Sequence, residues 1–213
     1  MPTNETFKYA TKGSNLHLRV AKGHFATSHS HTNYYIDVTT QKTRLSEADA
    51  VAKELVSAYR TNTIVDTILC LDGTEVIGTC IADELTKEDF RNMNAHQTIY
   101  VVSPEYTAGG QIIFRDNLVP MISGKYVLVL TASVTTGVTV QSAIEAVKYY
   151  GGNVVGVSAI FATVDECEGH PVISIFNPND LGNYESYTSH NCPLCKSGQR
   201  IEAIVNSYGY SKL

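Results

Sequence analysis

Residues 127–140 read VLVLTASVTTGVTV. The first half is an unbroken run of apolar and β-branched residues, which predicts a strand buried on both faces. The second half is threonine-rich and carries Gly137. It leads into TVQSAIEAVKYYGG, a helical pattern closed by Gly151. A buried strand that feeds a helix through a glycine-containing loop is the build of a phosphate cradle. Gly137 lets the main chain approach a ligand closely and take angles that other residues resist. The helix predicted to start near Val138 aims its free N–H groups and the positive end of its dipole at the loop. A phosphate monoester suits that position. Thr135, Thr136 and Thr139 add hydroxyls. TASVTTGVT would serve equally well as a plain strand-to-helix turn with threonine caps, so the flanking sequence has to discriminate.

Upstream, SEADAVAKELVSAYR (46–60) predicts a helix capped by Ser46. TIVDTILCL (63–71) predicts a second buried strand that ends in an Asp72-Gly73 turn. VIGTCIADEL (76–85) reads as a helix and TIYVVS (98–103) as a strand, followed by the turn-rich PEYTAGGQIIFRDN (104–117). Downstream, VVGVSAIF (154–161) is a fourth core strand. Strands alternating with helices predict an α/β fold whose mainly parallel central sheet is flanked by helices. Ligands of such sheets bind outside the carboxyl ends of the strands. That singles out loops 71–76, 103–117, 131–139 and 162–170. In the first of these, Asp72 and Glu75 flank Gly73 and suit either a turn or magnesium ligation. HFATSHSHTNYYIDV (24–38) reads as strand, loop, strand. Alternate residues of a strand share a face, so His29 and His31 could act together.

The chain has 213 residues, 43% hydrophobic and 17% charged, which fits one globular domain over 1–213. A net charge of −5 argues against a broad nucleic-acid footprint. No apolar run reaches the ~18 residues of a membrane span, and MPTNETFKYATKG has no apolar signal core. The expected compartment is the cytoplasm, where five scattered cysteines stay mostly reduced. Cys192 and Cys195 form one Cys-x-x-Cys near His190, and Cys167 lies near His170. A zinc site needs four ligands and there is one such pair, so no metal site is assigned. The thirteen tyrosines are expected mostly in the core or at a dimer interface.

The order of elements, with VLVLTASVTTGVTV at its centre, resembles the type I phosphoribosyltransferases. Their signature is a buried strand, two acidic residues and a threonine-rich loop containing glycine. GHFATSHSHTNYYIDV is similar to the hood of the orotate phosphoribosyltransferases, and CPLCKSG is similar to the tail of some members of that branch. The resemblance covers roughly residues 20–200. It implies a core over roughly 45–165 and a hood built from roughly 1–40 plus part of the C-terminal region. It also implies phosphoribosyl pyrophosphate or a nucleoside monophosphate as ligand, a magnesium ion carried by the donor, and a homodimer. By the same resemblance Ser133, Val134, Thr135, Thr136, Gly137, Val138 and Thr139 hold the 5-phosphate, and Thr131 and Ala132 lie at the ribose. Leu71, Asp72, Gly73 and Thr74 form the pyrophosphate loop, and His29, His31 and Tyr34 line the base pocket.

Four positions depart from the family pattern, all at charged contacts. Thr131 and Ala132 stand where the acidic pair belongs. The segment 103–117 has no lysine, and Arg115 is its one cation. Ser28 aligns with the hood lysine. ATVDE (162–166) lacks the arginine that meets the base carboxylate of orotate. The resemblance therefore implies phosphoribosyl transfer to a base other than orotate. The alternatives are a non-catalytic sensor of the same ligands, or an enzyme whose acids have moved to Asp72 or Glu75.

Overall fold

The computed structural model describes residues 6–10 and 16–213. Of the expected N-terminal hood, 1–5 and 11–15 lie outside them. In chain order the elements are strands β1 (Thr6–Ala10), β2 (His17–Ala26) and β3 (His31–Asp37), then helices α1 (Thr39–Thr43) and α2 (Leu45–Val56). β4 (Thr67–Cys70), α3 (Glu75–Thr86) and β5 (Tyr100–Val102) follow, then the short strands β6 (Glu105–Tyr106) and β7 (Ile112–Ile113). Next come β8 (Tyr126–Val134), α4 (Val138–Tyr149), β9 (Asn153–Ala162), β10 (Glu166–Cys167) and β11 (His170–Phe176). The chain closes with α5 (Pro178–Leu181), β12 (Ser186–Tyr187), α6 (Pro193–Lys196), β13 (Ala203–Asn206) and β14 (Gly209–Lys212).

The central sheet has the order β10-β11-β9-β8-β4-β5. It is parallel throughout except for β10, which runs antiparallel to β11 at the edge. β8 shows why the sequence reads as it does. Leu128, Leu130 and Ala132 enter one core cluster with Ala48, Val51, Ile77 and Ile81 of α2 and α3. Val127 and Val129 enter the other with Val140, Ala143 and Ile144 of α4. A strand sandwiched between helices must be apolar on both faces, which is the mainly parallel α/β arrangement expected. Gly78 of α3 allows the closest approach, because a Cβ there would meet Cys70 Sγ at 2.4 Å.

The second sheet contains the segments expected to form the hood and takes that name. Its order is β12-β3-β2-β13-β14, and β1 pairs with the first half of β2. β13 runs parallel to the far end of β2, with Ala203 opposite Phe25. N-terminal and C-terminal segments therefore share one sheet.

Several boundaries differ from the expectation. α2 starts at Leu45 with Arg44 as its N-cap and no side-chain cap, so Ser46 lies inside the first turn. α1 runs almost directly into α2, leaving Arg44 as the one extended residue between them. β8 continues to Val134, because Thr131 pairs with Ala159 and Ser133 with Phe161 of β9. The cradle loop is therefore shorter than 131–139. The core sheet also extends beyond 165 through β11. Its HPVISIF contains Pro171, a residue that argues against a strand interior and is tolerated here opposite the edge strand β10.

Candidate functional site

Chain connectivity reverses at the carboxyl ends of β4 and β8. From β4 the chain crosses to β5 on one side, and from β8 it crosses to β9 on the other. This is the switch point at which open α/β sheets bind ligands. A cleft of about 240 Å³ opens there between the core and the hood. Its floor is Ser133 to Val140 together with Asp72, and its roof is the Thr27–Ser30 turn, Thr32 and Tyr34 of the hood. Asn206, the last residue of β13, and Ser207 after it close one end. A neighbouring space of about 380 Å³ shares His29, Ser30, Thr135, Thr136 and Tyr184 with the first and extends to Thr163 and Tyr187.

Gly137 is the N-cap of α4 at φ 79° and ψ −9°, with no side-chain cap on the helix. That left-handed conformation is the one the sequence pattern requires of a glycine. A Cβ at Gly137 would meet Cys167 Sγ at an ordinary 3.5 Å, so the constraint is conformational rather than steric. Thr136, Val138 and Thr139 are exposed, which leaves this helix start open to the cleft. The loop is braced from behind by Thr163, whose hydroxyl donates to the Thr135 carbonyl at 2.6 Å.

The residues at the expected pyrophosphate loop do different jobs. Leu71 is a core residue, and Thr74 is fully buried, its hydroxyl donating to the Leu71 carbonyl at 2.7 Å. Asp72 and Gly73 take positive φ of 60° and 73°, as the central pair of a type I′ turn must. The Thr74 amide donates to the Leu71 carbonyl across the turn at 3.2 Å. Of the four, the Asp72 side chain reaches the cleft, where it accepts from Thr131 Oγ1 at 2.5 Å. At the expected ribose position Thr131 is buried and spent on that contact, while Ala132 belongs to the core behind the sheet.

Lys42, which no sequence pattern marks, lies beneath this turn. It is 5% exposed, and its ammonium donates to the carbonyls of Asp72 (2.6 Å) and Ser207 (2.5 Å) over the Tyr208 ring. Burial pulls its pKa below the ordinary lysine range, opposed by Asp72, Glu75 and Asp37. The segment that carries the β6–β7 hairpin has its cation engaged. Arg115 forms a bidentate pair with Glu105 at 2.7 and 2.5 Å, which holds the Glu105 carboxyl below its usual range.

The hood residues separate. His29 and Tyr34 line the cleft, and so does Ser28. His31 points elsewhere. His29 sits in the turn before β3, so strand alternation never applied to the pair. His31 Nδ1 lies 3.2 Å from His24 Nε2 and 3.3 Å from Cys195 Sγ. Cys192 Sγ completes the group, 3.5 Å from His24 Nε2. The expectation of no metal site counted only neighbours in sequence. Folding brings the Cys-x-x-Cys to two histidines some 160 residues upstream, which a search for paired Cys and His motifs across the whole chain would have flagged.

No family model matches the chain. It is similar to the orotate phosphoribosyltransferase of Sulfurimonas denitrificans, 29% identical over 201 residues, spanning 86% of this chain and 90% of that protein. It is likewise similar to that of Chlorobium phaeobacteroides, at 28% identity over 85% of this chain and 86% of the relative. Among solved structures, Mycobacterium tuberculosis orotate phosphoribosyltransferase in complex with Fe(III) dicitrate superposes with a TM-score of 0.53 and 21% identity, covering 78% of this chain and 93% of that one. The same enzyme in complex with 5-phospho-alpha-D-ribosyl 1-diphosphate gives 0.50 and 21%, over 70% and 83% of the two chains. A mainly parallel sheet with its cleft at the switch point, beside a second sheet shared by both ends of the chain, agrees with these likenesses: the chain is similar in sequence to orotate phosphoribosyltransferases and has the fold of the solved phosphoribosyltransferases.

Proposed function

We propose that the cleft binds the 5-phosphate end of a phosphorylated ribose, as phosphoribosyl pyrophosphate or a nucleoside monophosphate. The observation that carries this reading is the uncapped start of α4 at Gly137, open to a cleft lined by threonine hydroxyls. Main-chain amides and the helix dipole suit a dianion there whatever the neighbouring side chains have become. The phosphate sits on Ser133 to Thr139, and the base lies under the hood against Tyr34, His29 and Ser28. Asp72 supplies, from the turn after the neighbouring parallel strand β4, the carboxylate that the family places at the position of Thr131 and Ala132.

The reaction we assign is transfer of the phosphoribosyl group to a ring nitrogen of a base. The bond from the anomeric carbon to pyrophosphate breaks as the bond to nitrogen forms. Orotate is not the expected acceptor, because residues 162–166 offer no arginine for its carboxylate. Asp72 has the hard oxygen donor that magnesium prefers and is the residue that would hold a donor-borne ion. When bound, such an ion neutralises pyrophosphate charge. A homodimer is proposed on the same family resemblance.

A second reading, ligand binding without turnover, has one observation in its favour. Arg115 is committed to Glu105, and 104–117 contains no lysine, so a departing pyrophosphate meets little compensating charge. Thermal unfolding with ribose 5-phosphate, phosphoribosyl pyrophosphate and nucleoside monophosphates tests the site itself. A ligand at 100 times its Kd should stabilise by about 2.7 kcal/mol. Pyrophosphate release with a panel of bases and magnesium then separates the two readings. Stabilisation without release selects the sensor, and neither response rejects both.

A further inference from the structure

We propose that His24, His31, Cys192 and Cys195 form a structural zinc site that fastens the C-terminal segment to the hood. Their four ligand atoms (His24 Nε2, His31 Nδ1 and both Sγ) all lie within 4.8 Å of one another. The individual edges are more telling. The two ring nitrogens are 3.2 Å apart, and the sulfur–nitrogen separations are 3.5 Å (Cys192 to His24), 3.7 Å (Cys195 to His24) and 3.3 Å (Cys195 to His31). A tetrahedral ion with Zn–N near 2.05 Å and Zn–S near 2.3 Å requires edges of about 3.3 Å for N···N and about 3.6 Å for S···N. Four of the six edges therefore already match the size of the ion, and the remaining two are no longer than 4.8 Å.

Two further features fit a metal. His24 and Cys192 are fully buried, and two thiolates with two neutral imidazoles are electrically balanced by a dication. His24 Nδ1 lies 2.9 Å from the Gln199 carbonyl. Donating there fixes the proton on Nδ1 and leaves the Nε2 lone pair facing the cluster, as outer partners of metal-bound histidines do. The S₂N₂ set selects zinc over hard cations. Four protein ligands leave no open position, so the ion would be structural rather than catalytic.

The site also has a definite mechanical role. His24 lies on β2, His31 opens β3, and Cys192 and Cys195 bracket the start of α6. The turn between the two histidines is Thr27–Ser30, the roof of the ligand cleft. One ion would therefore lock that roof to the segment leading into β13, whose end closes the same cleft. The proposal does not depend on what the cleft binds.

The test uses the full chain and the metal alone. The purified protein should hold about one zinc per chain by elemental analysis. Replacement by cobalt should give the visible bands of a tetrahedral ion with thiolate-to-metal charge transfer. His31→Asn and Cys195→Ser remove the more accessible ligands. Each should weaken zinc binding by more than the about 10-fold typical of losing an outer-shell partner. Cys167→Ser, a cysteine outside the cluster, should leave zinc binding unchanged. Chelation should lower the wild-type Tm. A zinc-free wild type that still takes up no zinc when loaded overturns the proposal. So does a cobalt form without thiolate charge transfer, or full zinc retention by the Cys192→Ser/Cys195→Ser variant. The cobalt spectrum needs no variant, so misfolding of a substituted chain does not shield the idea.

Discussion

Thr131 Oγ1 donates to Asp72 Oδ2 at 2.5 Å, joining the two strand ends between which the connectivity of the sheet reverses. The contact puts a carboxylate beside Thr131, the position that resemblance to the phosphoribosyltransferases aligns with an acidic residue. Asp72 can hold that position because aspartate tolerates the left-handed backbone it adopts at φ 60°. Asn shares that tolerance, which makes Asp72→Asn a clean removal of charge. With magnesium present it should weaken binding of phosphoribosyl pyrophosphate about 10-fold, the equivalent of one charge-assisted hydrogen bond. Inorganic phosphate, which needs only the cradle, should bind as before. Calorimetric titration of both ligands decides, and an equal loss for the two would remove Asp72 from the ribose.

Gly137 controls the other end of the ligand. At φ 79° a β-branched side chain is strained by about 1–2 kcal/mol, so Gly137→Val either holds the strain or shifts the start of α4. In a chain of this size the Tm should fall by roughly 2–8 °C. Ribose 5-phosphate affinity should fall more than stability does, because the amides it needs are re-aimed. Retained affinity in a destabilised protein would place the phosphate elsewhere.

How much of this was legible in the sequence depends on the range of the contacts. VLVLTASVTTGVTV specified a buried strand, a left-handed glycine and a helix start, because each is set by residues adjacent in the chain. Its strand ran on to Val134 only because Ser133 pairs with Phe161, a partner that a local pattern does not reveal. Asp72 read equally well as a turn residue or a ligand until Thr131 was beside it. Lys42 lies in TTQKT, where nothing distinguishes it from a surface lysine, and only Asp72 and the distant Ser207 give it a role. His24 and His31 carried no metal signal of their own, since the two cysteines that meet them belong to the other end of the chain.

Lys42 makes the second tie on the Asp72 turn. Its ammonium joins that turn to Ser207, which closes the cleft from the hood side. Lys42→Met keeps the length and apolar stem but leaves two carbonyls without their donor. A hydrogen bond to a charged group contributes about 1.5–3 kcal/mol, and relief of burying the charge offsets part of the loss. We expect a net destabilisation of about 2 kcal/mol by urea unfolding. Arginine, with its larger planar head, should not restore stability in so closed a space. Stability unchanged in Lys42→Met would show that the tether is idle.

Tyr59 offers a pH-dependent test of the core behind the site. It is 3% exposed, its hydroxyl lies 2.9 Å from the buried Ser158 Oγ, and burial pushes its pKa up to about 12 from an ordinary 10.0. Below pH 10 the phenol is protonated in both folded and unfolded chains and costs nothing. Between pH 10 and 12 the unfolded chain releases its proton first, so the folded state loses stability as pH rises. Two pH units correspond to about 2.7 kcal/mol. Tyr59→Phe removes that titration but leaves Ser158 short of a partner, at about 1 kcal/mol near neutrality. Tyr35, whose pKa is also raised to about 12, loses stability in the same window in both proteins and cancels in the comparison. The variant should therefore be the weaker protein at pH 8 and the stronger one as pH approaches 12. Urea midpoints at the two ends show the crossing, and curves that stay parallel would mean that Tyr59 ionises in the folded protein as readily as in the unfolded chain.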